Sequence, residues 1–201
     1  MPSPSNADAR AWLGRTETWP DRRLAIWGEP GCGKTHLLHL WAARTTATWQ
    51  DGPGLRSLPA ASGALVIDDA DRAPDEATLL HTLNRAATDG TSVLISGRDA
   101  PGRWPVTLRD LASRLRAMTA VEIRPPEDSL LRALLVRLLA ERQIAVPADV
   151  QEWLLLQLPR TSRALREFVA LLDRAQFAAG RAVTRKLADT LLKQMANEEA
   201  N

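Results

Sequence analysis

The chain has 201 residues, enough for one compact domain or for one domain with a small appendage. Apolar residues make up 45% and charged residues 25%, a globular balance that excludes a disordered chain. The formal net charge is only +2, with 15 basic against 14 acidic residues up to Pro126 and 11 against 10 after it, which excludes a strongly basic nucleic-acid module by composition. The single cysteine, Cys32, allows no internal disulfide and fits a reducing compartment. Met1–Ala11 has neither a basic start nor an apolar run, and no stretch approaches ~18 uninterrupted apolar residues. The expectation is a cytoplasmic protein without a membrane span.

In chain order, Met1–Pro4 reads as a tail, and Ser5 or Asn6 can cap a short helix over Ala7–Leu13. Gly14–Arg23 is a loop containing Trp19-Pro20. Leu24–Trp27 has the apolar pattern of a short buried strand, and Lys34–Arg44 that of a leucine-rich helix. Between them Gly28-Glu29-Pro30-Gly31-Cys32-Gly33-Lys34-Thr35 fits G-x-x-x-x-G-K-[ST], the phosphate-binding loop, in its required strand-to-helix context. Glycines allow positive φ and bring successive N–H groups close to a polyphosphate, where the helix N-terminus adds partial positive charge. Lys34 can reach the β- and γ-phosphates, and the Thr35 hydroxyl can ligate Mg²⁺. An ordinary glycine-rich turn is the plainer alternative, but it leaves Lys34-Thr35 unexplained. Cys32 reads first as a filler of that loop and only second as a redox switch.

Ala47–Gln50 reads as a second strand and Asp51–Gly63 as a loop rich in glycine and proline. Ala64–Ile67 is a third strand that runs into Asp68-Asp69. An apolar strand ending in an acid, downstream of a phosphate loop, is a Walker B pattern. Asp68 then holds Mg²⁺ and Asp69 orients or activates the attacking water. A solvated strand end is the alternative. A helix follows over Pro74–Asp89, with His81 near its middle, packing or hydrogen-bonding locally. No second His or Cys has metal-ligand spacing with it, so no zinc site is assigned. Strand Ser92–Ile95 ends at Ser96, which is placed to hydrogen-bond the γ-phosphate or the attacking water. A short helix, Leu108–Met118, bears Arg109, Arg114 and Arg116, and Val121–Ile123 is a last strand. Glu127–Arg142, Ala148–Leu158, Ser162–Ala179 and Thr184–Met195 then read as helices, punctuated by Pro147, Pro159 and Gly180. The expected fold is α/β: a five-stranded parallel sheet flanked by helices over 1–126, followed by a small all-α lid over 127–201. Trp12, Trp27, Trp41 and Trp153 suit core or interface packing better than base stacking.

The phosphate loop, Ile67-Asp68-Asp69, the polar strand end and the helical lid together resemble the AAA+ ATPases. Gly33–Leu38 (GKTHLL), Ile67–Asp69, His81–Asn84 (HTLN), Leu111–Leu115 (LASRL) and the Arg-Pro-Pro segment at 124–126 resemble, in order, the replication initiator DnaA. Ile95-Ser96-Gly97 and Leu111–Leu115 are most similar to the Hda-type DnaA-related regulators, HdaA included. The likeness runs from about Ala7 onward. It implies ADP or ATP with Mg²⁺ as cofactors and DnaA as partner. It implies that Arg114 acts as an arginine finger in trans on a neighbouring subunit's nucleotide, and that Arg163 contacts the chain's own nucleotide from the lid. A permanently charged, planar guanidinium suits the first task. A surface salt bridge for Arg114 and a capping role for Arg163 are the alternatives.

Departures from the pattern shape the expectation. DnaA initiators carry a helical insertion ahead of Walker B that Asp51–Gly63 is too short to hold, and a DNA-binding helix-turn-helix after the lid, where this sequence reaches Asn201. Direct sequence-specific DNA binding is therefore not expected. Hda-type proteins dock on the DNA polymerase sliding clamp through a glutamine-containing peptide near the N-terminus. The first glutamine here is Gln50, so clamp binding rests on the resemblance alone. Arg98-Asp99 stands where those proteins have Asp-Arg. The expected function is negative regulation of replication initiation: the chain binds adenine nucleotide, pairs head-to-tail with DnaA or with its own copy, and stimulates hydrolysis of DnaA-bound ATP. Its own turnover is expected to be weak. The alternatives are a helicase-loader-like ATPase and a nucleotide-gated protein-binding module.

Overall fold

The computed structural model describes residues 2–61, 63–179 and 183–199. The chain divides into two compact units, Pro2–Arg124 and Pro125–Asn201. In the first, five strands form one sheet: β1 (Arg23–Trp27), β2 (Thr48–Asp51), β3 (Ala64–Asp68), β4 (Ser92–Gly97) and β5 (Ala120–Glu122), in the order β2-β3-β4-β1-β5. Every pairing is parallel, with Ala25 opposite both Ile95 and Ala120, and Ile67 opposite Ile95. Parallel strands need crossovers, and helices α1 (Ala7–Leu13), α2 (Lys34–Thr45), α3 (Glu76–Thr88) and α4 (Arg109–Ala117) supply the flanking layers.

The strands are apolar throughout because both faces of the sheet are covered. Successive side chains point to opposite faces. Leu24, Ile26, Ala64, Val66 and Leu94 accordingly join Leu13, Leu38 and Trp41 in one core cluster. Ala25, Leu65, Ile67, Val93 and Ile95 join Leu79, Leu83, Leu111 and Leu115 in the other. Each fully buried Leu or Ile stabilises the unit by roughly 1.5–3 kcal/mol relative to exposure. The loop read over Gly14–Arg23 is better ordered than its composition suggests. Two 3₁₀ turns fold it so that Trp19 stacks on Trp41 with centroids 5.2 Å apart, while the Trp19 indole N–H donates to the Trp12 carbonyl.

Helix α3 begins later than the proline suggested. Asp75, not Pro74, marks its start, because the Asp75 carboxylate accepts from the Ala77 and Thr78 N–H groups and caps the first turn. The other strand and helix ends lie within two residues of the sequence expectation, except that the last helix runs on to Glu199.

The second unit is all-helical: α5 (Asp128–Glu141), α6 (Ala148–Gln157), α7 (Ser162–Ala179) and α8 (Arg185–Glu199). Leu131, Leu135, Leu138 and Leu139 of α5 and Leu165, Phe168, Val169 and Leu172 of α7 recur at i, i+3, i+4 and form its core with Leu154, Ala188 and Leu191. No helix of the described residues is long and apolar enough to cross a membrane.

Candidate functional site

The site begins where β1 stops. Gly28 takes φ 151, and a Cβ there would lie 2.3 Å from the Ile123 carbonyl oxygen, so only glycine lets the loop pass this close to the chain following β5. The loop then turns through Gly31 and Gly33, both at positive φ, and Gly33 caps α2. The first-turn N–H groups of α2, beginning with Lys34, have no acceptor within the helix and face this loop. Lys34 is 7% exposed, and its ammonium donates to the carbonyls of Gly28 at 2.7 Å and Glu29 at 3.2 Å. The charge is thus held inside the loop's own ring of backbone. Cys32 is buried in the same turn. Burial pushes its thiol pKa up despite the nearby Lys34 charge and Lys34 N–H, which disfavours the reactive thiolate. Filler, not redox switch, is the role its surroundings support.

Asp68, at the end of β3, uses both carboxylate oxygens. Oδ2 accepts from the Thr35 hydroxyl at 2.8 Å and Oδ1 from the Ser96 hydroxyl at 2.5 Å. Ser96 is fully buried, and its oxygen accepts in turn from the Asp69 N–H at 2.8 Å. The sequence reading aimed Ser96 at the phosphate or the attacking water. The structure engages its hydroxyl with the acid pair, where it orients Asp68 and fixes the backbone of Asp69. The hydroxyl and carboxylate of Thr35 and Asp68 are hard oxygen donors brought face to face, a set that fits Mg²⁺. Among the described residues no cluster of three or more His, Cys, Asp or Glu could hold a metal. Asp69 sits in the left-handed region at φ 52 and pairs with Arg72 at 3.6 Å. Its pKa is raised, first by burial and then by the Asp68 and Asp71 carboxylates, against the pull of Lys34 and Arg72. A carboxyl held this way is a better proton acceptor than an ordinary surface aspartate.

Sequence reasoning missed three supports of this corner. Gly52, read as part of a loop, donates its N–H to the Asp68 carbonyl at 2.7 Å, and a Cβ there would lie 2.2 Å from the Asp69 carbonyl oxygen. Gly97 lies under the Trp104 ring, whose N–H donates to the Asp99 carbonyl. Asp71 accepts from the Arg98 N–H at 2.9 Å, which ties the turn after β3 to the turn after β4. A glycine-proline-glycine run was the available signal for the first. The other two depend on register across the sheet.

Arg114 lies elsewhere. On α4 it lines a cavity of about 300 Å³ together with Arg23, the first residue of β1. The phosphate loop leaves the other end of that strand, four residues on and about 13 Å away at ~3.3 Å per residue. Arg114 makes no hydrogen bond or ion pair with the described residues. Helix α4 is anchored at its start by Glu76, whose carboxylate accepts from the N–H groups of Thr107 and Leu108. Those bonds hold the Glu76 pKa below the usual glutamate range. In the helical unit Arg163 stands in the first turn of α7, largely exposed, with its Nε on Glu167 at 2.7 Å.

No family model matches the sequence. Domain III of the Thermotoga maritima replication initiation protein DnaA superposes with a TM-score of 0.79 at 21% identity, over 96% of this chain and 93% of that one. A replication initiator DnaA bound to AMPPCP and single-stranded DNA superposes with a TM-score of 0.70 at 16% identity, over 86% of this chain and 62% of that one. A point mutant of Thermotoga maritima RuvB gives 0.72 at 16% identity, over 96% of this chain and 70% of that one. This is the AAA+ fold. The phosphate loop, β3 acids and β4 serine occupy the carboxyl ends of adjacent strands of that AAA+ sheet, where an open parallel sheet binds its ligands. The chain spans about three-fifths of the longer DnaA, so that protein's ligands and activities do not transfer with the fold.

Proposed function

We propose that this chain is an adenine-nucleotide-binding AAA+ regulator that lowers the ATP-bound pool of DnaA and thereby restrains replication initiation. In its own pocket, residues 28–35 bind the phosphates of ADP or ATP. Lys34 exchanges its loop carbonyls for phosphate oxygens, and Thr35 and Asp68 hold Mg²⁺. The ion, when bound, neutralises phosphate charge. Ser96 keeps Asp68 aimed, Asp69 accepts a proton from water, and Arg163 reads the nucleotide from the helical unit. The chain's own turnover is slow, because its principal action is on a partner.

That action is assigned to Arg114. The observation that carries it is placement: the guanidinium has no hydrogen-bond or ion-pair partner among the described residues, stands on a helix anchored by Glu76, and is separated from its own phosphate loop by the length of β1. That placement suits a finger for another molecule's nucleotide, in a head-to-tail pair with DnaA. The absence of any helix between β2 and β3 among the described residues also favours a regulator over the initiator itself. Docking on the sliding clamp is retained only as a condition of the test.

The test is single-turnover hydrolysis of ATP preloaded on DnaA, with this chain in excess and sliding clamp on DNA, run beside Arg114→Ala. Acceleration by the parent is expected, with loss of about 10³-fold or more in the variant. An intact chain that leaves the rate unchanged overturns the assignment.

A further inference from the structure

We propose that the cavity between the start of β1 and α4 is a two-guanidinium oxyanion site, with Arg23 as its buried half and Arg114 as its outward half. This extends the trans-acting role given to Arg114 and rests on that reading for its physiological ligand, though not for the site itself.

Arg23 is 8% exposed, yet its Nε has no hydrogen-bond partner, and one Nη reaches only the Leu83 carbonyl at 3.5 Å. A guanidinium offers five N–H donors, so most of this one's capacity is unspent. A buried cation without a counter-charge is strongly unfavourable. The cavity's two carboxylates, Asp21 and Asp110, belong to exposed residues, and neither forms an ion pair or hydrogen bond with either arginine. The charge that weighs most on it is of the same sign. Burial and Arg114 both push the Arg23 pKa down, opposed by Asp21. Two guanidiniums lining one cavity, without a carboxylate partner for either among the described residues, match a tetrahedral oxyanion that accepts from both, with the Ser113 hydroxyl as a further donor. The volume, about 300 Å³, admits a phosphoryl group. The backbone entering β1 is set firmly: Asp21 and Arg22 both take left-handed φ, 49° and 56°, and Arg22 donates to the Gly90 carbonyl at 3.1 Å. Arg23 is thus a binding residue fixed by the fold, and it lends Arg114 a second charge for whatever phosphoryl group arrives.

The experiment follows the Nε–Hε signals of Arg23 and Arg114 in the full-length, arginine-labelled chain, assigned with Arg23→Lys and Arg114→Lys, during titration with inorganic phosphate. Sodium chloride at matched ionic strength is the control. Both signals are expected to move together and saturate with phosphate, and Arg23→Met is expected to weaken the Arg114 titration by about thirtyfold or more. An Arg23 signal that follows phosphate no differently from chloride overturns the site, and this holds even if Arg23→Met fails to fold. ATP-loaded DnaA then replaces phosphate. Movement of the same two signals identifies the partner's nucleotide as the source. Movement with phosphate alone keeps the site as one for free phosphate and removes its link to DnaA. Arg114-dependent stimulation of hydrolysis without any phosphate titration leaves the finger standing and sinks the two-arginine site.

Discussion

Strand β1 has a buried cation beyond one end and another at its opposite end, and the fold treats them in opposite ways. Lys34 and Arg23 are 7% and 8% exposed, so burial does not distinguish them. Lys34 is given two carbonyl acceptors by the loop in which it sits. Arg23 has a like charge as its neighbour and an unpartnered Nε. The lysine site is built from eight consecutive residues and satisfies itself. The arginine site is built from two elements far apart in sequence and is left short of an acceptor. A self-satisfied charge can exchange its partners for a ligand at little net cost, whereas an unsatisfied one gains most from an external anion.

The largest expected effect lies at the outward arginine, where Arg114→Ala removes about 10³-fold or more of the stimulation of DnaA-bound ATP hydrolysis and leaves this chain's own nucleotide affinity unchanged. A matching loss of that affinity would erase the division of labour between the two ends. Next comes Lys34→Ala. Loss of a charged hydrogen bond costs about 1.5–3 kcal/mol, so binding of a fluorescent ADP analogue should weaken roughly ten- to a hundredfold. Binding at parental affinity would show that the loop does not hold phosphate through this lysine.

Gly52→Ala forces a Cβ to within 2.2 Å of the Asp69 carbonyl oxygen, and thermal unfolding should report a loss of about 1–3 kcal/mol. A neutral result would mean that the Asp68–Asp69 corner yields. Arg23→Met replaces an uncompensated buried charge with an apolar chain of similar length, and it should leave the melting temperature unchanged or raise it. A large drop would show that Arg23 is satisfied after all.

The smallest effects concern pH, and they carry opposite signs. Burial raises the folded-state pKa of Asp69, so its contribution to stability is complete below the ordinary carboxylate value of 3.8 and is lost as pH rises through the folded value. Asp69→Asn, which tolerates the same left-handed backbone, should therefore gain on the parent at neutral pH and lose that gain in acid. Glu76 is shifted down by the N–H groups at the start of α4. Its contribution is present above the ordinary glutamate value of 4.5 and is lost as pH falls through the folded one. Glu76→Gln should lose ground at neutral pH and recover it in acid. Melting curves from pH 3 to 7 separate the two, and the same sign for both would refute the account of either.

Much of the α/β core was legible because its signals are local. Ala64–Ile67 is apolar without interruption, as a strand covered on both faces must be, and Gly28–Thr35 carries its motif in consecutive residues. The pairing of Thr35 with Asp68 was legible too, since a phosphate loop and an acidic strand end constrain each other. The hydrogen bonds of Ser96 were not. Its position at a strand end was visible, but the direction of its hydroxyl depends on the register that sets Ile67 opposite Ile95. Trp19 read as a loop residue because 3₁₀ turns have no periodicity to detect, and its burial against Trp41 comes from packing alone.

By itself, the sequence determined what short-range chemistry can determine: alternating strands and helices, a glycine-rich strand-to-helix loop with its Lys-Thr end, an acidic strand end and a run of helices after Pro126. Hydrophobic period, turn residues and helix caps act over a few positions, so they can be read from a few positions. The tertiary structure alone decided the strand order that sets β1 between β4 and β5, the close approach of Gly52 to Asp69, and the cavity that Arg23 and Arg114 share. These contacts join residues far apart along the chain. Burial, repulsion between like charges and an unspent donor exist only once the sheet has brought the residues together.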